Sequence, residues 1–356
     1  MDKRQQPLVT VVTPVYNMGE YLADCVESVL AQTYQDFEYI IVNNCSTDQT
    51  LEVASKYAKR DSRIRVHNND RFVPVIENHN IAFRLMSPAA TYCKPVSADD
   101  FVFPDCIARM VDLAECHPSV GIVGCYQLSG DRILWQGFEY PRAVMPGREL
   151  GRRIFRSSDP TLGFGSPTSL MYRADLVRAT HEFFPNPSPH ADTSACFASL
   201  RQSDFGFVYQ VLAYERVHAQ TVSSASKALD RYTSASLNDL IDYGPDYLPR
   251  EELDRRIATT LQAYRRSLAV NFVVGLRGKD YWQYHEGRLK ELGFTLTRSQ
   301  LIGTALITAL REMANPAKAV GKLRRRLAQR GEDTKPAAVI DSPDVILTNW
   351  VPPRKL

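Results

Sequence analysis

Leu8-Val9-Thr10-Val11-Val12-Thr13-Pro14-Val15-Tyr16-Asn17 is the stretch on which the fold turns. Its first eight residues are β-branched and nearly continuous in apolar character, which predicts a strand buried on both faces. Tyr21, Leu22, Cys25, Val26, Val29 and Leu30 then recur at helical spacing, and Phe37–Val42 reads as a second buried strand. Ser46-Thr47-Asp48 opens a helix carrying Leu51, Val53, Ala54 and Tyr57, and Ile64–Val66 is a third short strand. A weaker helix around Asn80–Leu85, a strand at Thr91–Val96, a helix starting at Pro104 and a strand at Val120–Tyr126 follow. Strands alternating with helices at this spacing predict a doubly wound α/β sheet through about residue 126. Sheets of that kind bind ligands at the carboxyl ends of their strands, where the strand order reverses.

The pattern changes twice beyond that point. From about residue 128 it breaks into short strands, turns and the Gly163–Ser169 loop, with a strand at Phe207–Leu212. Beyond about 226 it becomes helical, at Leu237–Ile241, Arg250–Asn271 and Ser299–Met313. We therefore expect an α/β domain over 1–225. A helical extension over 226–315 and a basic amphipathic helix with a tail over 316–356 complete the expected organisation.

Composition narrows the class. The chain has 356 residues, 44% hydrophobic and 23% charged, with 43 basic against 40 acidic residues. That is ordinary for a folded protein and, at a net charge of +3, too mild to imply nucleic-acid binding. Seven cysteines without C-x-x-C spacing suggest reduced thiols rather than a disulfide framework or a zinc knuckle. The apolar stretches Leu268–Leu276 and Leu301–Leu310 fall far short of the roughly 20 residues of a spanning helix. No leader-like h-region precedes the first strand, so the expected location is the cytoplasm.

The strand ends carry the chemistry. Neither G-x-G-x-x-G nor G-x-x-x-x-G-K-[ST] occurs, which removes the main signatures of nicotinamide and P-loop enzymes. The first strand ends in Thr13-Pro14-Val15-Tyr16-Asn17, the second in Asn43-Asn44-Cys45-Ser46-Thr47-Asp48-Gln49-Thr50 and the fourth in Ser97-Ala98-Asp99-Asp100. Polar residues after strands are usually turn and cap chemistry. An adjacent Asp pair is more telling, because two carboxylates repel unless a cation lies between them. Such oxygen ligands suit Mg²⁺ or Mn²⁺ held jointly with substrate phosphates.

These three segments, in this order and with Phe101-Val102-Phe103-Pro104 after the last, resemble the landmarks of family 2 glycosyltransferases over about residues 7–225. The resemblance implies a GT-A-like doubly wound mixed sheet with, in this chain, a C-terminal helical extension. It also implies a nucleoside-diphosphate sugar donor, a glycan or lipid-linked acceptor, Mn²⁺ or Mg²⁺, and inversion at the anomeric carbon. Carried over by position, Thr13, Pro14, Tyr16 and Asn17 line the base and ribose pocket. Asn43 and Asn44 stand where the family commonly has aspartates, and an amide both donates and accepts, so the base is left open. Asp99 matches the last acid of the family's D-x-D and is the expected metal ligand. Asp100 is a second metal or sugar contact or a supporting residue, and Ser97 replaces the first aspartate. Asn78, Asn80 and Lys94 lie where donor-side polar residues fall, with loop capping as their alternative.

On the acceptor side, Asp192 of His190-Ala191-Asp192-Thr193 occupies the place of the family's catalytic base, although the usual preceding glutamate is absent; a helix N-cap is the alternative. His190 is read as a neighbouring residue. Gly163–Ser169 either closes over a sugar or is a turn. Arg216 is a candidate diphosphate contact and His218 a candidate further metal ligand or a structural histidine. Two other functions stay open at this stage. A degenerate nucleotide-sugar-binding scaffold would account for Ser97 and Ala191, and a sugar-1-phosphate nucleotidyltransferase shares the layout but would want a Gly-rich basic loop after the first strand. Finally, Lys318, Lys322 and Arg325 cluster on one face of a helix begun at Asn315-Pro316, opposite Ala317, Val320, Leu323 and Leu327. Such a basic amphipathic helix either lies on an anionic membrane or packs on the protein.

Overall fold

The computed structural model describes residues 7–185, 189–218, 226, 229–274 and 277–313. The chain divides at Val217 into two compact units. In the first, β1 (Val9–Val15), α1 (Leu22–Leu30), β2 (Phe37–Asn43), α2 (Thr50–Arg60), β3 (Ile64–Asn68), α3 (Val75–Arg84) and β4 (Tyr92–Pro95) follow the predicted alternation. Then come β5 (Phe101–Val102), α4 (Cys106–Cys116), β6 (Val120–Ser129), β7 (Arg132–Leu134), β8 (Val144–Met145) and α5 (Gly147–Arg156). A single 3-10 turn at Pro167–Ser169 leads into β9 (Leu170–Arg173), α6 (Ala174–Arg178), α7 (Ala191–Ser199) and β10 (Asp204–Glu215).

The strands form one mixed sheet in the order β3-β2-β1-β4-β9-β6-β10-β5. β1 runs parallel to β2 on one side and to β4 on the other, so the strand order reverses between β1 and β4. β9 departs from simple alternation: it lies antiparallel between β4 and β6. Val9, Val11, Val12, Ile40 and Ile41 are essentially without solvent contact, as their unbroken apolar run predicts. Each such side chain contributes about 1.5–3 kcal/mol on burial. Leu22, Cys25, Val26 and Val29 of α1 close over one face of the sheet, together with Ile107, Met110 and Val111 of α4. The helix expected to begin at Pro104 begins two residues later, with Asp105 at its cap position.

The second unit is helical: α8 (Arg231–Asp242), α9 (Gly244–Tyr247), α10 (Arg250–Val274), α11 (Lys279–Glu291) and α12 (Arg298–Met313). Leu237, Leu261, Tyr264, Leu268, Tyr281, Leu289 and Leu301 form its core. A buried polar set runs through it, with Tyr264 bonded to His285 Nδ1, and Tyr281 and Arg277 both donating to Asp230. Among the described residues no helix is long and apolar enough to cross a membrane. The basic segment 316–330 singled out above lies outside the described residues.

Candidate active site

The switch point between β1 and β4 gathers the three strand ends read from the sequence. Thr13 joins them from beneath: its hydroxyl donates to Val96 O at 2.9 Å and lies 2.9 Å from the Tyr39 hydroxyl. Thr13 is therefore completely buried and braces the floor of the site instead of lining it. Above it the chain turns sharply, with Asn17 at φ +50° and Cys45 at φ +55°, both in the left-handed region. The two turns are laced together. Asn17 N–H donates to Ser46 Oγ at 3.0 Å, Thr47 N–H to Asn17 Oδ1 at 2.8 Å, and Gly19 N–H to Asp48 Oδ2 at 2.9 Å. Asp48 also accepts the Thr50 N–H at 3.0 Å just ahead of α2, whose cap position is Gln49.

The asparagines where aspartates were the reference turn out to brace the backbone. Asn44 donates to Val73 O at 2.8 Å and accepts from Val73 N–H at 3.0 Å, a pairing an aspartate could make only in half. Asn43 donates to Asn68 Oδ1 at 3.1 Å and accepts from Ser46 N–H at 3.3 Å. Tyr16, by contrast, is 41% exposed and meets the 58% exposed Phe72 edge-on, with ring centroids 4.8 Å apart. Phe72 was not singled out in the sequence; an exposed aromatic in a loop carries no local signal until its partner is known.

Asn80 and Lys94 are corrected by burial. Asn80 spends both amide groups on Phe184, donating to its carbonyl at 2.7 Å and accepting its N–H at 2.9 Å. Lys94 is fully buried, and its ammonium donates to the carbonyls of Pro95 and Thr168. Neither presents a polar atom to a ligand. Asn78 is likewise buried, between Val42 O and the Asn69 amide. His79 lies between Asn78 and Asn80 in α3. It is half-buried and stacks on Phe184, with its Nδ1 at 2.9 Å from Val75 O. Burial lowers its imidazole below the usual value, with the Val75 carbonyl and then the charge of Asp99 acting in the opposite sense.

Ser97–Asp100 forms a turn closed by the Asp100 N–H on Ser97 O at 3.1 Å. Register explains what meets it. β5 pairs antiparallel with β10 through Phe101 and Tyr214, so two further steps along β10 bring Arg216 beside Asp99. Arg216 donates its backbone N–H to Asp100 Oδ1 at 3.1 Å and its Nε to Asp99 O at 3.1 Å. Its Nη2 pairs with Asp24 at 2.8 Å, and its guanidinium lies 5.0 Å from the centre of the Tyr21 ring. Arg216 is thus a clamp on the acidic turn, and Asp24, absent from the sequence reading, is its counter-ion. Asp100 is buried, with its other oxygen taking the Thr168 hydroxyl at 2.5 Å. Burial, and after it the charge of Asp99, raises its carboxyl well above the usual carboxylate range. Neither bonded partner carries a formal charge at the contact. Asp99 is more exposed than Asp100.

Asp192 lies in the first turn of α7, where the helix dipole favours a carboxylate, and accepts the Thr193 N–H at 2.8 Å. It is half-buried, and its charge adds to burial in raising the Cys196 thiol. Phe197 of α7 packs on Phe164, with centroids 4.8 Å apart. The Gly163–Ser169 loop therefore touches the helix of Asp192 near one end and Asp100 at the other. His218 is the first residue of the second unit and is half-buried.

Residues 10–180 match the glycosyl transferase family 2. The chain carries a family 2 glycosyltransferase domain. It is 37% identical over 129 residues to the uncharacterized glycosyltransferase EpsJ of Bacillus subtilis, covering 35% of this chain and 36% of that one. The chain thus spans just over a third of the length of that relative. Among solved structures it shares its fold with the 1–349 fragment of S. aureus TarS in complex with UDP-GlcNAc. The TM-score is 0.56 at 17% identity, over 79% of this chain and 80% of that one. It also shares the fold of the mannosyltransferase PcManGT from Pyrobaculum calidifontis in complex with GDP-Man and Mn²⁺. There the TM-score is 0.52 at 15% identity, over 85% and 87% of the two chains. The fold is the GT-A type, as the strand ends implied.

Proposed function

We propose that this protein transfers a sugar from a nucleoside-diphosphate sugar to a hydroxyl of a glycan or lipid-linked acceptor, by a single inverting displacement. The observation that carries the reading is the acidic turn at the switch point. Asp99 and Asp100 stand side by side, and Asp100 is buried with only uncharged groups bonded to it. That donor set fits a divalent oxygen-liganded ion. Among the described residues no three His, Cys, Asp or Glu side chains converge, so donor phosphates would complete the shell, as Mg²⁺ and Mn²⁺ favour. Mn²⁺ or Mg²⁺ would be held by Asp99, with Asp100 behind it. Bound there, the ion would supply positive charge where the diphosphate leaves.

The chain's own residues do the rest. Pro14, Tyr16, Asn17 and the Asn43–Asn44 turn border the donor's base and ribose, with Phe72 extending the aromatic wall beside Tyr16. Ser97 presents a hydroxyl where a carboxylate would take the ribose. Arg216, buried against the acidic turn, holds that turn in place beside the position proposed for the diphosphate. Asp192, in the N-terminal turn of α7, takes the proton of the attacking acceptor hydroxyl. A nucleotidyltransferase is disfavoured because the turn after β1 has no glycine-rich basic loop. The test is release of nucleoside diphosphate from a panel of nucleotide sugars, UDP-GlcNAc and GDP-Man among them, with Mn²⁺ and with EDTA.

We also propose that the protein works at the cytosolic face of an anionic membrane. Ile302, Leu306 and Ile307 of α12 are each at least half exposed, so the last described helix shows apolar side chains to solvent. The sequence after it runs from Lys318 to Arg330 without an acid. Apolar surface next to cationic charge suits an anionic leaflet. Removing residues 316–356 should reduce co-sedimentation with anionic vesicles, and equal sedimentation of the two forms would refute it.

A further inference from the structure

The loop between α5 and β9 places a side chain that the glycosyl-transfer reading does not require. Thr168 is completely buried, between the fourth strand end and Asp100. Its hydroxyl oxygen receives the Ser97 N–H at 3.1 Å and lies 2.5 Å from Asp100 Oδ2. A backbone N–H only donates, so the hydroxyl acts as acceptor towards Ser97 and its single proton is directed at Asp100. The Thr168 hydroxyl thus joins the Ser97 backbone to one oxygen of Asp100.

The rest of the loop holds that hydroxyl still. Thr168 is the middle residue of the Pro167–Ser169 turn, which Ser166 and Ser169 close reciprocally: Ser166 N–H donates to Ser169 Oγ at 2.9 Å, and Ser169 Oγ–H to Ser166 O at 3.0 Å. Ser166 Oγ is tied in turn to Gln127 Oε1 at 2.8 Å. From below, the buried ammonium of Lys94 donates to the Thr168 carbonyl. One residue thus takes the Lys94 ammonium on its carbonyl side and the Asp100 carboxyl on its hydroxyl side. With Arg216 N–H on Oδ1 and Thr168 on Oδ2, both oxygens of Asp100 are fixed, and the plane of the carboxylate with them.

We propose that Thr168 is a positioning residue that orients Asp100, and through it the acidic turn, for a divalent cation. This rests on the metal reading given above. Groups that orient metal-facing carboxylates typically change metal affinity on the order of 10–100-fold when removed. The variants are Thr168→Val, which keeps the shape and loses the hydroxyl, Thr168→Ala as a smaller hydroxyl-free form, and Thr168→Ser, which keeps the hydroxyl. Binding of Mn²⁺ to the full chain in the presence of UDP or GDP is read from the electron paramagnetic resonance signal of free Mn²⁺, with thermal unfolding measured alongside. The expected result is about tenfold or greater weakening in the folded Val and Ala variants, and affinity within about threefold of wild type for Ser. Wild-type Mn²⁺ affinity in a folded hydroxyl-free variant, with only its unfolding temperature lowered, would make Thr168 a packing residue and overturn the proposal. Tenfold loss in Thr168→Ser would overturn it as well. A wild-type chain that binds no Mn²⁺ with either nucleotide would instead overturn the metal reading itself.

Discussion

Replacing Arg216 by methionine keeps most of the stem and removes the guanidinium from the acidic turn. Three interactions go with it: the 2.8 Å ion pair with Asp24, the 3.1 Å bond to Asp99 O and the contact over Tyr21. The Arg216 side chain is 8% exposed and that of Asp24 is 34% exposed, so the abandoned carboxylate can partly rehydrate. A hydrogen bond to a charged group is worth about 1.5–3 kcal/mol and a partly buried cation–π contact about 1 kcal/mol. These do not add fully, and rehydration of Asp24 brings the loss to about 3 kcal/mol. For a unit of this size that lowers the melting temperature by roughly 6–12 °C. The assay is differential scanning calorimetry of wild type, Arg216→Met, Asp24→Asn and the double variant, with the coupling taken from the cycle. A coupling of about 1.5–3 kcal/mol is expected for a buried guanidinium on a carboxylate. Arg216→Lys should recover only part of it, because an ammonium cannot reach Asp24 and the Asp99 carbonyl with the same fork. A single-variant loss below about 0.5 kcal/mol, the level of a surface substitution, would refute the clamp.

Two further outcomes follow from particular contacts. Asp192→Asn should abolish transfer while leaving donor affinity, measured by calorimetry, unchanged, since the residue acts on the acceptor; a parallel loss of donor affinity would make it a donor ligand or a helix cap. Asn44→Asp should destabilise the fold by about 1–3 kcal/mol in urea titration, because the amide proton donated to Val73 O is lost and two acceptors are brought together; unchanged stability would return Asn44 to the list of replaceable pocket residues.

The first four strands and the chemistry at their ends were legible because β-branched runs and strand-end acids are local patterns. Asp99 and Asp100 could be picked from such a pattern, whereas Asp192 was singled out only through the family resemblance. What the sequence could not display was direction. Asn80 and Lys94 are as polar as any pocket residue, yet their groups turn into backbone carbonyls and amides under the sheet. His79, one residue from Asn80, meets the Phe184 ring while Asn80 meets the Phe184 backbone. Asp24 meets Arg216 across 192 positions and Asp100 meets Thr168 across 68, so neither pairing leaves a local trace. The insertion of the short β9 between β4 and β6 is a tertiary choice. The helix α11 went unread, since Tyr281, His285 and Leu289 mark its buried face with only one aliphatic residue.

The central claim is that the acidic turn at the β1–β4 switch point holds the metal for a leaving nucleoside diphosphate. Its most direct test is metal-dependent release of nucleoside diphosphate from nucleotide sugars by wild type and by Asp99→Asn, both shown folded by circular dichroism. The account predicts release by wild type in Mn²⁺ or Mg²⁺, its loss in EDTA, and collapse in Asp99→Asn at any metal concentration, because the charge that balances the cation is gone while the side chain's size is kept. Near wild-type turnover by the folded Asn variant would contradict it.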